Sequence, residues 1–349
     1  MGVGGVKWSR GGLAEWTEGG TAFLSVAFTW KLNEARDRAR WYRALGYRVL
    51  AGGPATFRPR GYLEGFAELG ADFPDAVRYH GGKFRLAEWL IGHFPPHLCY
   101  LEPFGGAASV LMQKPRAPAE CLNDLDDKIV AVFRVLRDPE LAARLARRLE
   151  LTPFSRTEFN AAYAPASGDP VEDAARLITL SFMGQGSQGT TREYRTGFRC
   201  ALRNRDNSAL PSHEWATYRL AIPAFVERLQ GVALECVDAL TVIQRLDSPD
   251  TLIYADPPYV TATRGRSYAK HGYRHELDDA GHEALAEVLH ELEAMVVLSG
   301  YPSALYERLY ADWQREECAA MADRGKETTE VIWLNPACAR AQRQRRLIA

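Results

Sequence analysis

From Tyr79 onward the chain alternates short apolar runs with amphipathic stretches, and that alternation restricts the fold more than any other feature of the sequence. Strand-sized runs at 99–102, 120–122, 232–237, 251–255, 294–299 and 330–334 are separated by helical stretches after Lys83, after Gly106, from Asp126 and over 278–292. Parallel strands need a long crossover, usually a helix, so the alternation predicts an α/β chain wound on a mostly parallel sheet. It breaks down between Leu151 and Gln230, where one helix is expected over 171–182 and then a polar stretch rich in Gly, Thr, Arg and Asn. The economical reading is one α/β domain, residues 76–150 and 232–349, carrying an insertion over 151–231. Residues 1–75 stand apart as an extension with no chemistry of its own. There, apolar runs at 21–30 and 47–51 flank a charged helical stretch at 33–45, and the Pro- and Gly-rich stretch 58–74 reads as a connector.

With 46% hydrophobic and 25% charged residues, the composition excludes wholesale disorder and fibrous architectures. The longest apolar runs are strand-sized, so no membrane span is expected. Cys99, Cys121, Cys200, Cys236, Cys318 and Cys338 are scattered without a Cys-x-x-Cys pair and read as free thiols in a reducing cytoplasm. His271 and His275 lie in a basic stretch with no cysteine nearby, so no metal is expected there. Nothing in the sequence requires a second copy, and a monomer is the favoured state. A net charge of -1 excludes a globally basic coat, so any positive charge meant for nucleic acid has to be local.

Three constellations carry chemistry. Asp256-Pro257-Pro258-Tyr259 follows the apolar run 251–255, and the carboxyl end of a strand in a doubly wound sheet is where ligands bind. For an amino-bearing base, the Asp256 carboxylate and the Pro257 carbonyl are acceptors, Pro258 stiffens the turn and Tyr259 is a stacking face. The same four residues also read as an ordinary Pro-Pro turn with a buried tyrosine. Upstream, Glu102-Pro103-Phe104-Gly105-Gly106 leaves a strand through small residues toward a helix, which lets backbone approach a ligand closely. Its glycines do not have dinucleotide-fingerprint spacing. About twenty residues further on, Asp124 ends the next strand as a ribose acceptor or a helix N-cap. Tyr79-His80-Gly81-Gly82-Lys83 fails as a phosphate loop, because Val77 stands where Gly is needed and Phe84 where Ser or Thr is needed.

The joint order of Gly-Gly-Lys, Glu-Pro-Phe-Gly-Gly, Asn-Asp, an insertion and Asp-Pro-Pro-Tyr resembles the Dam-type (D12 class) adenine-specific DNA methyltransferases. The resemblance covers residues 76–337, including Glu158-Phe159-Asn160, the helix that follows Asp169-Pro170, and Glu330 through Asn335. It implies a Rossmann-like methyltransferase sheet with an inserted, mainly helical and loop target-recognition region, S-adenosylmethionine as methyl donor, and double-stranded DNA as substrate. It further implies that Tyr79, Lys83, Glu102, Phe104, Gly105, Gly106, Asp124 and Asp238 line the cofactor site, with Lys83 facing the methionine carboxylate and Asp238 near the cofactor adenine. Asp256 through Tyr259 would hold a flipped-out adenine for methylation at N6. Ala108 stands where such families usually carry Gly.

Local charge is consistent with a DNA partner. Arg192, Arg195, Arg199, Arg203 and Arg205 face only Glu193 and Asp206, and Arg264, Arg266, Lys270 and Arg274 follow the Asp-Pro-Pro-Tyr motif without an intervening acid. Both windows are expected to contact phosphates, although each also reads as a solvated loop. Arg340, Arg343, Arg345 and Arg346 read as a flexible tail. Asp rather than Ser at position 256 favours adenine over cytosine N4 by resemblance. An RNA or protein amide substrate, or a catalytically silent DNA binder of the same fold, are the remaining alternatives.

Overall fold

The computed structural model describes residues 7–9, 13–18, 21–26, 35, 38, 48–53, 58–64, 82–185, 195–200, 210–263, 274–322 and 326–348. Chain contacts divide it into two compact units, Met1–Phe73 and Pro74–Ala349.

The first unit is a five-stranded sheet in the order β1-β2-β3-β4-β5: β1 (Lys7–Ser9), β2 (Leu13–Glu18), β3 (Thr21–Val26), β4 (Arg48–Gly53) and β5 (Arg58–Glu64). β3 and β4 pair in parallel, as a strand–helix–strand unit requires, and the other pairs are antiparallel. Ala35 and Arg38 are helical; the rest of the helix expected over 33–45 lies outside the described residues. The connector expected over 58–74 is corrected. Its first part is β5, which accommodates Pro59 and Gly61 because it pairs on one side only, at the sheet edge.

In the second unit seven strands run in the order β11-β12-β10-β9-β6-β7-β8. These are β6 (Cys99–Glu102), β7 (Ala119–Asn123), β8 (Val232–Glu235), β9 (Thr251–Ala255), β10 (Met295–Gly300), β11 (Gln314–Ala322) and β12 (Lys326–Leu334). The five strands from β8 to β10 are parallel, and β12 is antiparallel to both β10 and β11. All five residues of β9 and all six of β10 are buried, which is why both read as unbroken apolar runs rather than alternating ones. The chain leaves β6 for β7 on one side and later fills the other side with β9, so the strand order reverses between β6 and β9 and opens a crevice at their carboxyl ends.

Helices α1 (Ala87–Gly92), α2 (Ser109–Gln113), α3 (Asp127–Arg137), α4 (Pro139–Glu150), α5 (Arg156–Ala161) and α6 (Pro170–Met183) precede β8. α4 and α6 each begin with Asp-Pro, the Asp138 and Asp169 carboxylates accepting from first-turn amides and the proline taking a position whose N–H would have no helical partner. Two further helices, α7 (Pro211–Tyr218) and α8 (Ile222–Leu229), occupy sequence read above as polar and aperiodic. They are joined by a single tight turn at Arg219–Ala221 and bury Trp215, Tyr218, Phe225 and Leu229. α6 and α8 pack on α3 and α4. After β8 come α9 (Ala239–Arg245), α10 (Asp279–His290), α11 (Ala304–Leu309) and α12 (Pro336–Ile348). The C-terminal arginines therefore belong to a helix and not to a tail.

Among the described residues no helix is long and apolar enough to cross a membrane, and no group of three or more His, Cys, Asp or Glu could hold a metal.

Candidate active site

β6 sends Tyr100 and Glu102 to one face, two residues apart, and the Tyr100 hydroxyl donates to Glu102 Oε1 at 2.7 Å. The strand then turns sharply. Gly105 N–H donates to the Asn123 carbonyl at 2.7 Å, and a Cβ at Gly105 would lie 2.5 Å from Leu122 Cδ1 and 2.9 Å from that carbonyl oxygen. Only glycine allows β6 and β7 to approach this closely. Gly106 follows with φ 47°, and Ala108 has φ 55°, the left-handed region that explains why glycine suits that position. Ala108 does not line the cavity, so its methyl does not narrow it.

Asp124 clamps this turn. Its Oδ2 accepts from Gly106 N–H at 2.7 Å and its Oδ1 from Asp126 N–H at 2.8 Å, while burial pushes its carboxyl up. The N-cap of α3 is Asp126, so the N-cap reading of Asp124 is corrected. Asn123 ties the neighbouring strands together, donating to the Pro103 and Val237 carbonyls and accepting from Val237 N–H. Asp238 caps α9 at the cavity rim, accepting from Leu240 and Thr241 N–H.

These elements enclose a cavity of about 330 Å³ at the β6/β9 switch point. Glu102, Phe104, Asp124, Asp238 and Leu240 line it, and Lys83, Asp256 and Pro258 close its other side. Its size suits a small-molecule ligand. The mixture of apolar walls and carboxylates suits a ligand that combines apolar surface with hydrogen-bond donors or positive charge. His275, Glu276 and Leu277 also line it and were not singled out in the sequence as site residues.

The Asp256–Tyr259 turn leaves β9 beside that cavity. Asp256 Oδ1 accepts from the Ser299 hydroxyl at 2.8 Å, and its Oδ2 lies 3.0 Å from Lys83 Nζ. Pro257 and Tyr259 are buried, and Asp256 and Pro258 are half-buried. Tyr259 donates its hydroxyl to Glu330 Oε2 at 2.8 Å and meets Tyr301 edge-on with ring centroids 4.6 Å apart. Burial pushes the Tyr259 hydroxyl well up, and it pushes Glu330 up as well, against the pull of Lys83 and the Tyr259 hydrogen bond. Ser299, Tyr301 and Glu330 are therefore candidate site residues with no role assigned from the sequence, Glu330 having been noted only within the stretch through Asn335. They arrive on or beside β10 and β12, far away in the chain, and none has a telling local pattern. Lys83, read as a partner for the cofactor carboxylate, lines the cavity and stands against the Asp256–Tyr259 turn.

The basic windows are described only in part. Tyr79, Arg192, Arg203, Arg205, Arg264, Arg266 and Lys270 lie outside the described residues. Arg195 is exposed with its guanidinium 5.1 Å from the Tyr163 ring centre, and Arg199 binds Glu214 at 2.8 Å. Arg274 is paired with Asp126 at 2.9 Å and with Asp127, which holds the Asp127 carboxyl below the usual range. Two of the three described arginines are thus already engaged by acids.

Five parallel strands closed by a reversed C-terminal hairpin, with a cavity at the switch point and the Asp-Pro-Pro-Tyr turn at its edge, make a Rossmann-like α/β fold with a site for a small ligand. Residues 79–323 match the family described as D12 class N6 adenine-specific DNA methyltransferase, and the chain belongs to that family. It is an adenine-specific DNA methyltransferase that uses S-adenosylmethionine. It is 25% identical over 244 residues to a DNA adenine methylase of Vibrio cholerae, covering 67% of this chain and 83% of that one. It is 24% identical over 246 residues to the DNA adenine methylase of Escherichia coli K12, with the same coverage. A solved S-adenosylmethionine-dependent methyltransferase from Agrobacterium tumefaciens aligns over 96% of this chain and 90% of that one at 13% identity and a TM-score of 0.34.

Proposed function

We propose that the switch-point cavity seats S-adenosylmethionine and that the Asp256–Tyr259 turn seats the target adenine. The observation that carries this reading is the adjacency of the two. Asp256 and Pro258 line the cavity, and Tyr259 continues the same turn away from it. Glu102, Phe104, Gly105, Gly106, Asp124 and Asp238 would hold the cofactor, Asp124 and Asp238 supplying hydroxyl and amine acceptors around the apolar Phe104 and Leu240 walls. The bound cofactor supplies an electrophilic methyl on a sulfonium.

Adenine N6 is a weak nucleophile because its lone pair is delocalised into the ring. The Asp256 carboxylate and the Pro257 carbonyl accept its two hydrogens, favour a tetrahedral nitrogen and direct the lone pair outward, so catalysis is mainly orientation and preorganised electrostatics. Ser299 fixes the carboxylate from behind. The base must leave the duplex, and stacking on Tyr259 offsets part of the few kcal/mol of unstacking. The insertion 151–231 and the basic stretch after the motif would engage phosphates. Arg195 is exposed for this role, whereas Arg199 and Arg274 would exchange an acid for a phosphate. The enzyme would act as a monomer in the cytoplasm.

Asp256→Ala tests the assignment. It should lower kcat by about 10²–10³-fold, the effect of deleting one preorganised partner of the reacting group. Cofactor affinity, read by equilibrium titration, should not fall. A variant that loses cofactor binding in proportion to turnover would contradict the role given to Asp256.

A further inference from the structure

The Lys83 ammonium stands where the substrate amine has to stand. Its Nζ lies 3.0 Å from Asp256 Oδ2 and 4.7 Å from the centre of the Tyr259 ring. An adenine that stacks on Tyr259 and donates N6–H to Asp256 needs both of those contacts. Neither surface is free to step aside. Ser299 holds the other carboxylate oxygen, and the tyrosine is fixed by Glu330 at its hydroxyl and by the edge-on Tyr301 ring. The lysine, on a flexible four-carbon stem, is the group that can move.

The cavity next door supplies a destination. Among its described lining residues are five carboxylates, Glu102, Asp124, Asp238, Asp256 and Glu276, and Lys83 is the only lysine or arginine. A methyl donor that carries an amino-acid carboxylate therefore meets one strongly cationic side chain there. We propose that Lys83 is a positioning residue that reserves the base seat, resting on Asp256 and Tyr259 until the cofactor's carboxylate draws its ammonium into the cavity, so that cofactor binding admits the target base. The inference rests on the reading of Asp256–Tyr259 as that seat. It makes the two substrates thermodynamically linked through one side chain, and such linkage is reciprocal.

The test uses the full chain and a duplex with 2-aminopurine next to an adenine that the enzyme has been shown to methylate, so that the target keeps its 6-amino group and its departure from the stack unquenches the neighbour. S-adenosylhomocysteine, which keeps the carboxylate and has no methyl to transfer, is the probe. With wild-type protein, 2-aminopurine emission should report flipping that rises about tenfold when the probe is added, within the usual range for coupled sites. Lys83→Met should flip the base without the probe and respond little to it. Lys83→Gln, read in the same way, replaces it if the methionine variant fails to bind DNA by anisotropy. Independently, Asp256→Asn, which removes the charge competing for the ammonium, should bind the probe about fivefold more tightly than wild type. Wild-type flipping that ignores the probe, a Lys83 variant that still needs it, or no tightening in Asp256→Asn would overturn the proposal. Failure of the underlying reading would show separately, as DNA in which no adenine is methylated.

Discussion

Glu102 shows how one buried carboxylate ties the candidate site to pH. Burial pushes its carboxyl up to about 7, against the hydrogen bond from Tyr100 and the charges of Lys114 and Arg228. Between 4.5 and that value the folded protein keeps a proton that the unfolded chain has released, so stability falls as pH rises through this window and is level above it. The fall amounts to about 3 kcal/mol. Glu102→Gln removes it, so urea unfolding should show the variant gaining about 3 kcal/mol on wild type between pH 5 and pH 8. Parallel stability profiles would contradict the assignment. Asp256, Tyr259, Gly105 and Asp124 were legible in the sequence because each sits at a strand end beside residues that restrict the backbone. Glu330 was not, because its role depends on a hydrogen bond to a tyrosine 71 residues away.

Among the elements, α8, which leads into β8, is fastened by charge as well as by packing. Glu120 on β7 is buried and accepts from Arg228 of α8 at 2.6 and 3.0 Å and from Lys114 at 2.6 Å. Burial pushes the Glu120 carboxyl up, but those hydrogen bonds more than offset it and hold the group below the usual carboxylate range. Arg228→Met leaves the acid with one cation and should cost about 3 kcal/mol in unfolding free energy, because it strands buried charge. Turnover per folded molecule should be unaffected; a stability change within ±0.5 kcal/mol, as at ordinary surface sites, would contradict this. The central strands were read nearly to the residue because burial on both faces makes them continuous apolar runs. α7 and α8 escaped because each is only eight residues long and buries few side chains, Pro211, Trp215 and Tyr218 in α7 and Ile222, Phe225, Arg228 and Leu229 in α8. β11 escaped as well. Its first half, Gln314 to Glu317, is charged, as suits a sheet edge, with Arg315 paired to Glu307 and Glu317.

For the whole molecule, the contact boundary after Phe73 leaves every described candidate site residue within Pro74–Ala349. A chain beginning at Pro74 should therefore fold and bind S-adenosylhomocysteine with the affinity of the full chain, as titration calorimetry would show; loss of binding would make the first unit part of the site. The sequence indicated that something separate precedes residue 75, but it showed only two of the five strands there, since short antiparallel strands leave a weak pattern beside a Pro- and Gly-rich stretch. In the function proposed, the β6/β9 crevice methylates adenine at N6. This is tested most directly by transferring labelled methyl from S-adenosylmethionine to unmethylated duplex DNA and analysing the product nucleosides, with Asp256→Ala in parallel. N6-methyladenine should form and should vanish in the variant; N4-methylcytosine, or N6-methyladenine that persists without Asp256, would overturn the assignment.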